Sequence, residues 1–186
     1  MVISKKIGRE ILSWCLYIVG GLLVALFLSN VILVNAEVTS GSMETTIMTG
    51  DRIAGLRTAY WFSEPKRLDI VVFKNPIYPE DWRDETGKKP APFVKRIIGL
   101  PGDTITIQDN LIYINDSTEP LDEPYLHEQM NTENAVFEVP EGHYFMMGDN
   151  RNHSTDSRYL DKRYIPKEDI IGKVYIGWFP GIRLLK

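Results

Sequence analysis

Thr104-Ile105-Thr106-Ile107-Gln108-Asp109-Asn110-Leu111-Ile112-Tyr113-Ile114-Asn115 is the stretch that decides the fold class. Isoleucine alternates with polar residues through Thr104 to Gln108, and a repeat of two is the mark of a strand with one buried face. A second short apolar run covers Leu111 to Asn115. Between them stands Asp109-Asn110, and because Asn tolerates positive φ this pair predicts a tight hairpin turn. The two strands are therefore expected to be antiparallel.

Short apolar runs separated by Gly, Pro and Asp recur on both sides of this hairpin. They predict further strands at Arg52 to Arg57, Asp69 to Lys74, Phe93 to Ile98, His143 to Met147 and Ile171 to Trp178. The pattern is mainly β. Asn75 to Pro92, with four prolines and mixed charges, and Ser117 to Ala135, acidic and polar, read as surface loops.

The first fifth of the chain is different. Met1 to Glu10 is short and basic, with Lys5, Lys6 and Arg9, and no charged residue follows from Ile11 to Ala36. At about 1.5 Å per residue that run crosses a hydrocarbon core of about 30 Å as a helix with room for tilt. Trp14 and Tyr17 suit the headgroup zone, and the preceding basic residues orient the N-terminus toward the cytoplasm. A cleaved secretory signal would have an apolar core of only about 7 to 15 residues, so an uncut anchor is expected. The organisation that follows is a cytoplasmic N-terminus over 1–10, a transmembrane anchor over 11–34 and an extracytoplasmic domain over 35–186.

Composition narrows the possibilities further. The formal net charge is -4 with no basic stripe, which argues against nucleic acid as a partner. The single cysteine, Cys15, lies in the apolar run, so neither an intrachain disulfide nor a cysteine metal cluster is available. Between the first two predicted strands, Ala59-Tyr60-Trp61-Phe62 reads either as hairpin core or as a set of rings that presses the domain onto a bilayer. Trp178-Phe179-Pro180 is a candidate for the same face.

Just beyond the anchor stands Ser40-Gly41-Ser42-Met43. A serine hydroxyl becomes a nucleophile only when a base accepts its proton, and three kinds of base compete. His153, with Asp149 or Asp156, would complete a Ser/His/Asp triad on Ser42, although no Gly-x-Ser-x-Gly pattern accompanies it. Lys95 lies among Phe93, Val94, Ile97 and Ile98, where strand alternation can send it into an apolar pocket that favours the neutral amine. Asp149 and Asp156 as a carboxylate pair is the third option, though loop aspartates more often cap turns or pair with arginine. No His-Glu-x-x-His spacing supports metal chemistry.

Four motifs stand in order behind the anchor. They are Ser40-Gly41-Ser42-Met43-Glu44-Thr45-Thr46; Arg67-Leu68-Asp69-Ile70-Val71-Val72-Phe73; Lys95-Arg96-Ile97-Ile98-Gly99-Leu100-Pro101-Gly102-Asp103; and Gly148-Asp149-Asn150-Arg151 leading to Ser154-Thr155-Asp156-Ser157-Arg158. In these the chain resembles the bacterial type I signal peptidases of the small, single-anchor kind, membrane-bound serine proteases that remove signal peptides from exported preproteins. The resemblance covers nearly the whole chain.

It implies a partial-barrel antiparallel catalytic domain with Ser42 as nucleophile and Lys95 as general base. Ser40 and the Ser42 N–H would form the oxyanion hole, Ser154 would orient the Lys95 amine, and Asp156 and Arg158 would hold their loop. Val38, Met43, Ile47, Phe93 and Val94 would line shallow pockets for small substrate side chains. No metal or cofactor is implied; the partners are preproteins and the lipid bilayer, with the enzyme a monomer near the secretion translocon. Two positions depart from the family pattern. Thr45 replaces a usual proline, which predicts a less rigid loop, and Leu68 replaces a common glycine, which predicts a looser turn.

Two other readings compete. A non-catalytic relative, acting as a membrane chaperone for surface proteins such as pili, would be expected to lack the serine or the lysine. A self-cleaving repressor would need a DNA-binding module in place of the anchor.

Overall fold

The computed structural model describes residues 2–185. Met1, Lys186 and the side chains of 2–7 and Arg9, with the basic groups expected on the cytoplasmic side, lie outside the described residues. Helix α1 runs Val2–Phe27 and continues through a wider turn at Leu28–Ile32. The segment Glu10–Ile32 is 23 residues long and none of it is buried against the rest of the chain. At 1.5 Å per residue it extends about 34 Å, enough to cross a bilayer, and its exposed apolar side chains have no protein to cover them.

The helix gives way to strand earlier than the apolar run suggests. Leu33–Glu37 forms β1, paired antiparallel with β2, Arg52–Leu56, from Leu33 opposite Leu56 to Glu37 opposite Arg52. Leu33 and Val34, expected in the anchor, therefore belong to the sheet, and Val34 is buried in its core. Hydropathy alone cannot mark this boundary, because a buried strand and a membrane helix are both apolar.

The remaining strands are β3 Ile70–Phe73, β4 Phe93–Gly99, β5 Thr104–Gln108, β6 Leu111–Ile114, β7 Ala135–Glu138, β8 His143–Met147, β9 Tyr164–Pro166, β10 Ile170–Phe179 and β11 Arg183–Leu184. Eight of the eleven strands form one antiparallel sheet in the order β1-β2-β10-β3-β4-β8-β9, with β11 beside β10. Its outer strands β1 and β9 do not pair, so the sheet stays an open, partial barrel. β5 joins β6 and β7 in a small second sheet. The predicted hairpin is present, with Gln108 opposite Leu111 and both turn residues at positive φ, 52° at Asp109 and 65° at Asn110.

β3 is buried on both faces, as expected of a central strand. Ile70 and Val72 join a core with Val34, Val38, Met43, Ile47 and Ile53, while Val71 and Phe73 join Ile97, Tyr144, Met146 and Ile165 on the other side. The small sheet packs on the large one through Ile105, Ile107, Ile112 and Phe137 against Ile98, Phe145 and Met147.

The turn before β3 is tight rather than loose. Leu68 takes φ 70°, a left-handed conformation that costs a non-glycine residue roughly 1–2 kcal/mol. It is held there by its own N–H to Ile97 O at 2.8 Å and by Arg96 Nη1 donating to its carbonyl at 2.9 Å. The aromatic cluster divides: Tyr60 is partly buried and donates to Asp69 Oδ2 at 2.8 Å, while Trp61 and Phe62 are 59% and 96% exposed. Trp178-Phe179 does not join them. Phe179 pairs with Arg52 at the start of β2, and Trp61 follows its far end.

Candidate active site

β4 carries Lys95 opposite Val71, between Phe93 and Ile97 on its own face. Ser42 sits in a single 3-10 turn, Gly41–Met43, just after β1. Both are buried, Ser42 at 8% and Lys95 at 4% exposure. Lys95 Nζ donates to Ser42 Oγ at 2.5 Å. Burial pushes the Lys95 amine from 10.5 down to about 8, although the carboxylates of Asp156 and Asp149 favour the ammonium. Once the amine is neutral the polarity of the bond can reverse, with the hydroxyl donating to nitrogen, which is the first step of nucleophile activation.

Ser40 Oγ lies 3.4 Å from Ser42 Oγ, so a second hydroxyl stands beside the first. A groove of about 380 Å³ runs from this pair along Ala36 to Met43 on one side and Ala91 to Val94 on the other. Val38, Met43, Phe93 and Val94, the residues expected to line substrate pockets, border it. Ile47 does not; it is fully buried among Met43, Ile53 and Val72 and is core.

The loop after β8 closes the site from the other side. Asp156 accepts from Arg158 Nε at 2.9 Å and Nη2 at 2.9 Å and from the Gly148 N–H at 3.0 Å. Both side chains of the pair are almost wholly buried, so this is an internal strut and not a surface ion pair. Ser154, expected to orient the Lys95 amine, makes no such hydrogen bond here; among the described residues its buried Oγ has no partner. It packs against Gly148, where an added Cβ would lie 2.3 Å from Ser154 Oγ and 2.3 Å from Ser42 O.

The histidine triad is not assembled. His153 lines the groove but is exposed, and among the described residues no hydrogen bond links it to Ser42 or to an aspartate. Asp149 is taken by Arg96, through Nε to Oδ1 at 2.9 Å and Nη2 to Oδ2 at 2.6 Å, and by Thr46 Oγ1 at 2.6 Å. Asp149 is thus committed to Arg96 and Thr46 and not to His153, and with Asp156 likewise paired to Arg158 both aspartates are held by arginine, which favours a structural role over the carboxylate-pair reading. No group of described His, Cys, Asp and Glu residues is placed to hold a metal.

Several contributors escaped the sequence reading. Arg96 follows Lys95 directly and so points to the other face of β4, where it grips Asp149. Glu123 and Tyr125, in the polar loop before β7, reach the same place. Arg151 donates to Glu123 Oε2 at 2.9 Å and Oε1 at 2.5 Å, and the Arg96 guanidinium lies 3.8 Å from the Tyr125 ring centre. Only the position of Arg96 beside Lys95 could have hinted at this.

A buried amine against a buried hydroxyl, at the head of a groove in an open β-barrel, is an arrangement that can take a proton from a serine. The chain belongs to the signal peptidase family, peptidase S26, whose profile matches residues 11–179. It is 33% identical over 187 residues to signal peptidase I of Bacillus licheniformis, covering 95% of this chain and 92% of that one. Identity to the probable signal peptidase I-1 of Synechocystis sp. (strain ATCC 27184 / PCC 6803 / Kazusa) is 33% over 162 residues, 87% of this chain and 79% of the relative. Against signal peptidase I of Leptolyngbya laminosa it is 33% over 147 residues, 79% and 69%. The chain is thus a serine protease of the type I signal peptidase kind, and its N-terminal apolar helix is consistent with a membrane anchor.

Proposed function

We propose that this enzyme removes signal peptides from preproteins through Ser42 as nucleophile and Lys95 as general base. The observation that carries the reading is the 2.5 Å contact between Lys95 Nζ and Ser42 Oγ in a site where burial brings the amine to about 8. Ser42 Oγ attacks the carbonyl carbon before the cut as Lys95 Nζ takes the hydroxyl proton. The tetrahedral oxyanion is held by the Ser42 N–H and the Ser40 hydroxyl, donors fixed before the charge develops. Collapse breaks the C–N bond, and the Lys95 ammonium hands its proton to the leaving amine. Water then attacks the acyl-enzyme, giving a proton to Lys95 as its oxygen bonds to the carbonyl carbon, and Ser42 is released with its hydroxyl restored.

Ser154 belongs to this reading as the hydroxyl that turns to the amine, since its buried Oγ has no other partner. Val38, Met43, Phe93 and Val94 set the small-residue preference by leaving no room for large side chains. The basic N-terminus lies in the cytoplasm, one helix crosses the cell membrane, and the domain from Leu33 onward lies outside, as a monomer near the translocon. Sharing the bilayer with the signal helix raises the effective substrate concentration. The non-catalytic chaperone alternative has no support, because Ser42 and Lys95 are both present and in contact.

Cleavage of a preprotein in detergent or vesicles by wild type, Ser42→Ala, Lys95→Ala and His153→Ala tests this assignment. Activity lost in the first two variants and kept in the third is expected; a Lys95→Ala enzyme as active as wild type overturns it.

A further inference from the structure

We propose that Asn150 is the positioning residue that aims the Ser42 N–H at the oxyanion. The inference rests on the assignment of Ser42 as nucleophile. Asn150 Nδ2 donates to Gly41 O at 2.9 Å, and the Asn150 N–H donates to Ser42 O at 3.1 Å. The two carbonyls on either side of Ser42 are thus both held by one residue. The Gly41 carbonyl and the Ser42 N–H belong to one planar trans peptide and point to opposite sides of it, so fixing the oxygen fixes the direction of the N–H. An oxyanion donor is effective only when it meets the developing charge at about 2.7–3.1 Å. A swing of that plane misplaces it.

The 3-10 turn alone does not settle the direction. Its own bond, Glu44 N–H to Gly41 O at 3.1 Å, holds the plane within the turn but does not tie the turn to Lys95. Asn150 supplies the tie from outside. A second donor on the same carbonyl also polarises the amide and strengthens its N–H as a donor.

Both sequence neighbours of Asn150 are locked. Asp149 is gripped by Arg96, which follows Lys95 on β4, and by Thr46 on the nucleophile loop. Arg151 is held by Glu123 through both arms and donates from Nε to Gly148 O at 3.1 Å. Gly148 lets the loop backbone close on Ser42 O, where any Cβ would collide. A chain of contacts therefore runs from the strand of the base, through Arg96, Asp149 and Asn150, to the peptide plane that carries the oxyanion donor. The buried ion pairs on either side give a short polar side chain a position defined well enough for aiming.

A simple loop tie and an aiming device differ in what they change. Losing a tie weakens substrate binding and stability together, whereas losing the aim weakens only the transition state. The test compares Asn150→Asp, which keeps the shape but removes the donor, and Asn150→Ala with wild type on a peptide spanning a cleavage site. Both variants retain the backbone N–H to Ser42 O. kcat is normalised to the folded fraction from thermal unfolding, and binding of a peptide boronate, which forms a tetrahedral adduct with a serine hydroxyl, is compared with that of an uncleavable peptide.

The expected result is a fall in kcat of roughly 10- to 100-fold with KM held within about two-fold. Boronate affinity should fall in parallel and uncleavable-peptide affinity should stay unchanged. Unchanged kcat in folded Asn150→Asp, or a loss shared equally by the uncleavable peptide, overturns the proposal. If wild type fails to cleave, or Ser42→Ala remains active, the nucleophile assignment itself falls, and that outcome is distinct from the others.

Discussion

Arg96 and Asp149 form a buried two-pronged ion pair, Nε to Oδ1 at 2.9 Å and Nη2 to Oδ2 at 2.6 Å, that binds the strand of Lys95 to the loop facing Ser42. Removing one partner leaves the other charged and desolvated. Asp149→Ala is expected to cost about 3–5 kcal/mol, read from denaturant unfolding. Arg96→Met combined with Asp149→Leu should cost less than Asp149→Ala alone, because no unpaired charge is left behind.

Gly148 is fixed by space. A Cβ there would sit 2.3 Å from Ser42 O and 2.3 Å from Ser154 Oγ. Gly148→Ala is expected to push the catalytic loop away from Ser42, lowering kcat more than about ten-fold and stability by about 1–3 kcal/mol. Steady-state cleavage and thermal unfolding check the two parts separately.

Ser154 separates stability from activity. Its Oγ is buried with no partner among the described residues, and a buried unsatisfied hydroxyl costs about 1–3 kcal/mol. Ser154→Ala should therefore fold at least as stably as wild type while kcat falls, since the amine loses the hydroxyl that would orient it. Equal kcat in the two enzymes would remove Ser154 from the mechanism.

Lys95 carries a folding cost of known sign. Its folded amine titrates near 8 against 10.5 for a free one, so between those values the unfolded chain holds a proton that the folded chain has shed. Stability therefore rises with pH across about 8 to 10.5, and below about 8 the full penalty, about 3 kcal/mol, is present. Lys95→Met should be inactive yet more stable than wild type at pH 7, with the gain shrinking as the pH approaches 10. Denaturant midpoints at the two pH values check it.

The β5–β6 hairpin was legible because its signal is local: alternation on both sides of a turn pair that accepts positive φ. β1 was hidden because Leu33 and Val34 extend an apolar run, and only pairing with β2 distinguishes strand from helix there. β7, β9 and β11 are short and owe their existence to the strands they join, information that no local window holds. The expected looser turn at Leu68 failed for a related reason, since hydrogen bonds from Arg96 and to Ile97 hold a leucine in a conformation its own preferences oppose.

At the site, Ser42 and Lys95 stand out as candidates, a hydroxyl beyond an apolar run and a cation inside one, but it is the resemblance in the four motifs that prefers Lys95 to His153 as the base. The network that holds them does not stand out. Glu123 reaches Arg151 from a loop with no periodicity, and the Asn150 side chain acts on the Gly41 carbonyl, a backbone atom that sequence does not locate. Ile47 and the pocket residues around it are all apolar, and only the walls of the groove separate lining from core.

The dependence of kcat/KM on pH for a cleavage-site peptide tests the central claim most directly. With Lys95 as base, the rate rises about ten-fold per pH unit on the acid side and levels off above an inflection near 8, in wild type and in His153→Ala alike. An inflection near 6.5 that disappears in His153→Ala, or a rate independent of pH from 6 to 9, would contradict it.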